Sequence, residues 1–401
     1  MAELGLDATD RTRVLVLNQI SAQGLSRLPA DRYRVGKDVA EPAAILLRSA
    51  DMHSMTVPAS VRAIGRAGAG TNNIPVKAMS ERGVPVFNAP GANANAVKEL
   101  VLAGMLMAAR NLAPALRFSA ALDVAHPELD KVVEDGKKAF AGYEIAGQTL
   151  GIIGLGKIGC LIADAAIKLG LDVLGYDPEI TVDAAWSLPS QVRRAGSVNE
   201  VLRSAQFVSL HVPLVAATRH LVNDANIGLM KPGAVLLNFS REGVVSDSAV
   251  LESLAAGHLG QYVCDFPGAE IHGHPKVIAL PHLGASTREA EENCAIMVVD
   301  QVRDYLENGN VANAVNFPNL SMARESPWRV AIANANVPNM LGQMSTAMAN
   351  AGLNIHNMVN KSRGDMAYTL VDVDSAVSDE VVASLTAIPG VLSVRYLPGR
   401  A

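Results

Sequence analysis

The sequence predicts an α/β protein organised around a doubly wound parallel sheet, and three observations carry the prediction. Short apolar runs such as Val14-Leu15-Val16-Leu17 and Ala234-Val235-Leu236-Leu237 alternate with helical segments along most of the 401 residues. Strands buried on both faces read this way. The apolar share is 49% while aromatics make up only 4%, so Ala, Val, Leu, Ile and Gly must fill the cores. Finally, Gly154-Leu155-Gly156-Lys157-Ile158-Gly159 lies between an apolar strand-like run and a helical one, where glycines let a strand pass tightly into a helix. A chain this long is expected to divide into two or three domains.

The first hundred residues repeat a strand–helix rhythm, with strands expected at 13–17, 44–48, 62–65 and 84–87. Gly65-Arg66-Ala67-Gly68-Ala69-Gly70 follows the third of these and reads as a loop at the carboxyl edge of a sheet, where open α/β folds place ligands. Residues 95–110 carry Val97, Leu100, Val101 and Gly104 at helical spacing and read as a long helix crossing between domains.

The glycine turn then opens a second βα series. Gln148-Thr149-Leu150-Gly151-Ile152-Ile153 feeds the turn, a helix follows, and Leu171-Asp172-Val173-Leu174-Gly175-Tyr176-Asp177 forms a strand ending on an acid. That order is the Rossmann-type dinucleotide-binding fingerprint. Gly154 permits the tight turn, Gly156 admits a pyrophosphate, and Gly159 lets helix and strand pack, while the helix N-terminus offers free N–H groups. Asp177 suits a ribose diol and repels a 2′-phosphate, which favours NAD over NADP. Further strands at 207–211, 234–239, 261–265 and 276–280 make a six-stranded parallel sheet, and a helix at 289–307 returns the chain towards the first domain. Residues 321–327 read as a linker. Beyond it come a strand at 329–335, a helix at 340–351, strands at 354–361 and 366–372, a helix at 380–387 and a strand at 391–396. This βαββαβ order is ferredoxin-like, and a unit so small without its own nucleophile reads as regulatory or oligomeric.

The formal charge of −5 gives no reason to expect nucleic acid or an anionic membrane as partner, and no apolar run is long enough to span a bilayer. Met1-Ala2-Glu3-Leu4-Gly5-Leu6-Asp7 lacks the basic and apolar regions of a signal peptide. Cys160, Cys264 and Cys294 are an odd, widely spaced set that supports neither a disulfide framework nor zinc. A cytoplasmic location is expected.

Three polar residues fall just past expected strand ends: Arg241 after Asn238-Phe239-Ser240, Glu270 after Val263-Cys264-Asp265, and His282 after Ala279-Leu280-Pro281. Oxidising a secondary alcohol with NAD needs a base for the hydroxyl proton and a cation to hold the substrate. Imidazole is the side chain suited to proton transfer at neutral pH, so His282 is the natural base. Glu270 is expected to hydrogen-bond its other ring nitrogen, and the planar fork of Arg241 suits a carboxylate. His272 and His274 lie close by in sequence, yet no metal is expected, because nothing completes a ligand set.

These motifs resemble the D-2-hydroxyacid dehydrogenase family over nearly the whole chain. The resemblance rests on Gly65-Arg66-Ala67-Gly68, Phe87-Asn88-Ala89-Pro90, the fingerprint, His211-Val212-Pro213-Leu214, Asn238-Phe239-Ser240-Arg241 and above all Pro281-His282-Leu283-Gly284-Ala285-Ser286-Thr287. It implies a Rossmann-type domain at 97–288 inserted into a discontinuous, flavodoxin-like substrate domain at 1–96 and 289–320. It implies Arg241, Glu270 and His282 as catalytic residues. It implies NAD contacts at Lys157, Ile158, Asp177, Val212, Pro213, Phe239, Ser240, Asp265, Gly284 and Ala285, and substrate contacts at Arg48, Ser49, Arg66, Ala67, Gly68 and Asn93 besides Arg241. Arg48 and Arg66 are the candidates for a substrate phosphate. Residues 328–401 resemble an ACT domain through Asn336-Val337-Pro338-Asn339-Met340-Leu341 and Gly352-Leu353-Asn354-Ile355. In such modules L-serine binds across a dimer, so Asn334, Asn336 and Asn354 are the candidate effector contacts and a homo-oligomer, dimer or tetramer, is implied. The chain departs from the pattern at Glu242, where a glycine is usual, at Ile271, where a proline is, and at Asn334, where a histidine is common. The implied reaction is oxidation of 3-phospho-D-glycerate to 3-phosphooxypyruvate with NAD, which opens L-serine synthesis. A glyoxylate or hydroxypyruvate reductase, or an NAD-sensing regulatory protein on the same scaffold, are the alternatives.

Overall fold

The structure is a computed structural model that describes residues 11–399; the acidic stretch Met1–Asp7 lies outside them. Contacts divide the chain into two compact units, one running from Asn93 to Ala290 and the other holding the chain up to Ala92 and from Glu291 onward.

In the second of these, five short strands form a parallel sheet: β1 (Thr12–Val16), β2 (Tyr33–Gly36), β3 (Ala44–Leu47), β4 (Ala63–Arg66) and β5 (Val86–Phe87), in the order β2-β1-β3-β4-β5. Successive strand side chains point to opposite faces. Val14, Val16, Leu46 and Ala63 therefore meet the helix Arg288–Asn308 through Val298 and Val302. Leu15, Ile45 and Ile64 pack on the other side against Met52 and Met79. Strand β2 was not anticipated, because this edge strand is half-exposed and mixes Arg34 and Gly36 with its apolar residues.

The Asn93–Ala290 unit holds seven parallel strands rather than six: β6 (Thr149–Ile153), β7 (Asp172–Tyr176), β8 (Arg193–Arg194), β9 (Phe207–Leu210), β10 (Val235–Asn238), β11 (Gln261–Cys264) and β12 (Val277–Ala279). Their order is β12-β11-β10-β9-β6-β7-β8. The added strand, β8, is two exposed arginines paired with Leu174 and Gly175, so it has no apolar pattern to betray it. The long helix Ala94–Ala109 buries Val97, Val101, Met105 and Ala108. It ends where Asn111 takes φ 50°, and a second helix, Leu112–Ala120, starts at once. Among the described residues no single helix is long and apolar enough to cross a membrane.

The remaining strands are antiparallel: β13 (Trp328–Ala335), β14 (Ile355–Arg363), β15 (Met366–Val373) and β16 (Val391–Pro398), in the order β14-β15-β13-β16, with helices Met340–Asn350 and Asp379–Thr386. This is the expected βαββαβ order. Met344, Met348 and Leu385 cover one face. The other face puts Ala331, Ala333, Tyr368, Leu370 and Leu397 into the same core as Tyr305, Phe317 and Val302. The C-terminal sheet therefore stays within the unit that holds the first sheet. A buried ion pair marks the junction. Arg329 donates from Nε to Asp372 Oδ1 at 2.6 Å and from Nη2 to Oδ2 at 2.8 Å. Its remaining N–H groups reach the carbonyls of Asn308, Met322 and Ala323.

Candidate active site

The Asn93–Ala290 unit gathers its chemistry at the carboxyl edge of its sheet. Because all seven strands are parallel, the segments after β6, β9, β10, β11 and β12, which are five neighbours in the sheet, emerge on the same edge. The order reverses between β6 and β9, and such switch points are where open α/β sheets bind ligands.

After β6 the glycines are required one by one. Gly154 has φ 95°, and a Cβ there would strike the His211 carbonyl. A Cβ on Gly159 would run into the Gly154 carbonyl, so the helix Lys157–Lys168 could not sit this close to its strand. Gly156 is different, since nothing of the protein lies within 4 Å of its missing Cβ. It is also the N-cap of that helix and offers no side-chain cap. The first-turn N–H groups thus face open space bordered by glycine, a fit for a pyrophosphate. Lys157 is exposed and Ile158 half-buried beside it. Asp177, at the end of β7, accepts from Leu155 N at 2.8 Å and from Glu179 N at 2.9 Å. It organises the glycine turn and, each carboxylate oxygen having a second lone pair, can still receive ribose hydroxyls. A dinucleotide therefore fits the residues present.

After β9, Val212 is half-buried and Pro213 exposed. Ser209 Oγ lies 2.7 Å from His211 Nε2, whereas Nδ1 is sealed without a partner. The residue as a whole is only partly buried, but burial of the ring drives its pKa down to about 3. After β10, Phe239 and Ser240 are buried. Asn238 holds this turn, accepting from Ser240 Oγ at 2.9 Å and donating to the Arg241 carbonyl at 3.0 Å. The Arg241 side chain is exposed, and its Nη1 donates to the Ser240 carbonyl at 2.6 Å.

After β11 and β12 the two loops are stitched together by Asp265, which is only 2% exposed. Its oxygens accept from Leu283 N at 2.7 Å and Gly284 N at 2.8 Å. Burial raises its pKa, and these two N–H groups and nearby His282 offset part of that rise. His282 itself donates its backbone N–H to the carbonyls of Asp265 and Leu280, takes φ 57°, and meets the Phe266 ring at a tilt, with ring centroids 5.1 Å apart. A left-handed backbone at a non-glycine residue is uncommon and concentrates at functional sites. Ala285, next to buried Gly284, is half-buried.

Glu270 behaves differently from the expectation. No hydrogen bond or ion pair joins it to His282 among the described residues. Ile271 is 1% exposed and anchors the loop in the core, which leaves Glu270 in solvent. Its charge is felt at Asp247, whose pKa is raised first by burial and then by Glu270 and Glu242. Here the carboxylate beside His282 is Asp265.

In the other unit, β3 and β4 end side by side. Arg48 is fixed through its backbone: its N–H donates to Asn18 Oδ1 at 2.8 Å, and its carbonyl accepts from Arg66 Nε at 3.0 Å and Asn73 Nδ2 at 3.3 Å. Its guanidinium meets Glu291 at 2.6 Å. Ser49 Oγ accepts from Asn18 at 2.9 Å. Ala67 N donates to the Leu47 carbonyl at 2.7 Å, and the Arg66 guanidinium lies across Gly68 where a Cβ would be. Asn93 is the N-cap of the helix Ala94–Ala109 and belongs to the Asn93–Ala290 unit. In the C-terminal sheet Asn334 is buried, with Nδ2 on the Ala335 carbonyl and Oδ1 unpartnered. Asn336 Nδ2 donates to the Gly364 carbonyl at 3.0 Å, and Asn354 N donates to Asp374 at 3.1 Å. The residues that sequence reasoning missed, Asn18, Asn73 and Glu291, all act by holding a neighbour, as does Asn238, which the motif included without a role. The asparagines just past β1 and at the end of β10 were the available signal.

Comparison with known proteins agrees with this geometry. Residues 102–284 match the model of the D-isomer specific 2-hydroxyacid dehydrogenase NAD binding domain. The chain is 32% identical over 351 residues to D-3-phosphoglycerate dehydrogenase of Escherichia coli, covering 84% of this chain and 81% of that protein. It is 38% identical over 266 residues to the protein of the same name from Methanocaldococcus jannaschii, which spans 65% of this chain but only 48% of that longer relative. Among solved structures, NAD+-bound 3-phosphoglycerate dehydrogenase of Entamoeba histolytica shares the fold at a TM-score of 0.60 and 22% identity, over 77% of this chain and 100% of that one. The chain belongs to the D-isomer-specific 2-hydroxyacid dehydrogenase family and carries that family's NAD-binding domain.

Proposed function

We propose that this chain is an NAD-dependent D-3-phosphoglycerate dehydrogenase, which oxidises 3-phospho-D-glycerate to 3-phosphooxypyruvate at the entry to L-serine synthesis. The observation that carries the reading is the placing of Arg241 and His282 past the ends of β10 and β12, on the sheet edge that also holds the glycine turn. The named relatives supply the substrate.

Bound NAD+ supplies the hydride acceptor. His282 takes the proton of the substrate hydroxyl as general base, the role for which imidazole is the commonest side chain. Arg241 holds the carboxylate in its planar fork and stabilises the developing carbonyl oxygen. Catalytic hydrogen bonds are commonly long before the substrate arrives, and Glu270 is assigned to orient and balance charged His282 in the working complex. Gly154, Gly156, Lys157, Ile158, Gly159 and Asp177 take the adenosine and pyrophosphate. Val212, Pro213, Phe239, Ser240, Asp265, Gly284 and Ala285 take the rest. Arg48, Ser49, Arg66, Ala67, Gly68 and Asn93 complete the substrate site, with the phosphate on Arg48 and Arg66.

In this reading 97–288 is the NAD domain, 1–96 with 289–320 the substrate domain, 321–327 the linker and 328–401 an ACT domain. Asn334, Asn336 and Asn354 are then the contacts for L-serine in a homo-oligomer, a dimer or tetramer, and the enzyme is placed in the cytoplasm, where Cys160, Cys264 and Cys294 stay thiols. A steady-state assay of NADH formation over a panel of 2-hydroxy acids, with and without L-serine, tests it. Preference for the phosphorylated acid is expected; turnover of non-phosphorylated acids alone refutes the substrate, and rates indifferent to L-serine refute the effector.

A further inference from the structure

Arg48 is a cation whose frame is rigid and whose head group is already occupied. Its backbone is held from three sides by Asn18, Arg66 and Asn73, so only the side chain is left to move. Glu291 faces it from the first turn of the helix Arg288–Asn308, which is itself anchored by buried Ala290, Cys294 and Ala295. The two charged groups meet at 2.6 Å with side chains 33% and 45% exposed. Burial raises the pKa of Cys294 on that helix, Arg66 and Arg48 offset part of the rise, and Glu291 adds to it.

We propose that Glu291 is an internal counter-ion on Arg48 that an incoming phosphate must displace, and that this exchange tempers the preference for phosphorylated over non-phosphorylated acids. The inference rests on the assignment of Arg48 to the substrate phosphate. A half-exposed ion pair is weakly held. A phosphate, carrying nearly two charges and three acceptor oxygens, outcompetes one carboxylate for the fork. A hydroxyl group in the same place brings no charge and leaves Glu291 where it is. Glu291 is a positioning residue, acting on the substrate only through Arg48.

Steady-state kinetics of wild type, Glu291→Gln, Glu291→Ala and Arg48→Ala test this, with 3-phospho-D-glycerate and D-glycerate as substrates and inorganic phosphate as competitive inhibitor. For both Glu291 variants, KM for the phosphorylated acid and the inhibition constant of phosphate should fall together by roughly two- to fivefold. The change is carried by KM rather than kcat, and the constants for D-glycerate do not follow. Phosphate constants that stay level or rise in the Glu291 variants, while Arg48→Ala weakens phosphate binding, overturn the displacement role alone. Arg48→Ala that leaves both phosphate constants unchanged removes the substrate assignment beneath it, and this inference with it.

Discussion

At the scale of single residues, the site separates groups that react from groups that hold them. Among the described residues no hydrogen bond holds the His282 side chain, and its position is set by its backbone, through the left-handed φ and the two carbonyls that its N–H meets. Removing the imidazole should therefore leave the loop in place. His282→Asn is expected to lower kcat by roughly 10²- to 10⁴-fold, the usual worth of a general base. NADH binding, followed by fluorescence titration, should remain within a few-fold; a variant that turns over normally ends the assignment. His211 makes a contrasting prediction. A free imidazole titrates near 6.5, whereas burial holds this one at about 3. Between those values the unfolded chain takes up a proton that the fold refuses. The penalty is absent above pH 6.5 and grows as pH falls through the window, by up to about 1.4 kcal/mol per unit. In urea titrations at pH 7.5 and pH 5, His211→Gln should lose about 2 kcal/mol less between the two than wild type does.

At the scale of elements, the strand–turn–helix after β6 assigns a different task to each glycine. Gly159 serves packing, since a Cβ there meets the Gly154 carbonyl. Gly159→Ala should cost about 1–3 kcal/mol as overpacking, lower the melting temperature and weaken NADH binding together. Gly156 serves the ligand, since no protein atom lies near its missing Cβ. Gly156→Ala should leave the melting temperature of the ligand-free protein almost unchanged and still weaken NADH binding at least tenfold. Equal melting losses in the two variants would refute this division. The glycine spacing was legible because steric exclusion by a Cβ is a local property of neighbours in sequence. The edge strands β2 and β8 were not, because an exposed edge needs no apolar alternation. Two exposed arginines become β8 only because β7 offers unpaired backbone groups beside them.

For the whole molecule, the Arg329–Asp372 pair joins the C-terminal sheet to the end of the long helix and to the linker, through the carbonyls of Asn308, Met322 and Ala323. Both side chains are fully buried. Breaking such a pair from one side leaves a charge without its partner and costs about 3–5 kcal/mol, whereas replacing both members with apolar residues is often neutral. Arg329→Met alone should lower the unfolding midpoint in urea and expose the C-terminal sheet to limited proteolysis. Arg329→Met with Asp372→Leu should recover most of the loss; a double variant as unstable as the single would show that the carbonyl contacts of Arg329 matter more than its ion pair.

The sequence by itself determined the α/β class, the glycine turn, the acid at Asp177, the βαββαβ tail and the strand ends that carry Arg241 and His282. Each of these is written in the periodicity or the sterics of consecutive residues. Only the tertiary structure decided which groups meet. It put Asp265 close enough to His282 to feel its charge, and it buried Ile271 while leaving Glu270 exposed. It put Glu291 on Arg48, and it gave the two sheets of one unit a common core. Such pairings join residues far apart in the chain, where burial and charge are set by the packing of whole elements and leave no periodic trace in the sequence.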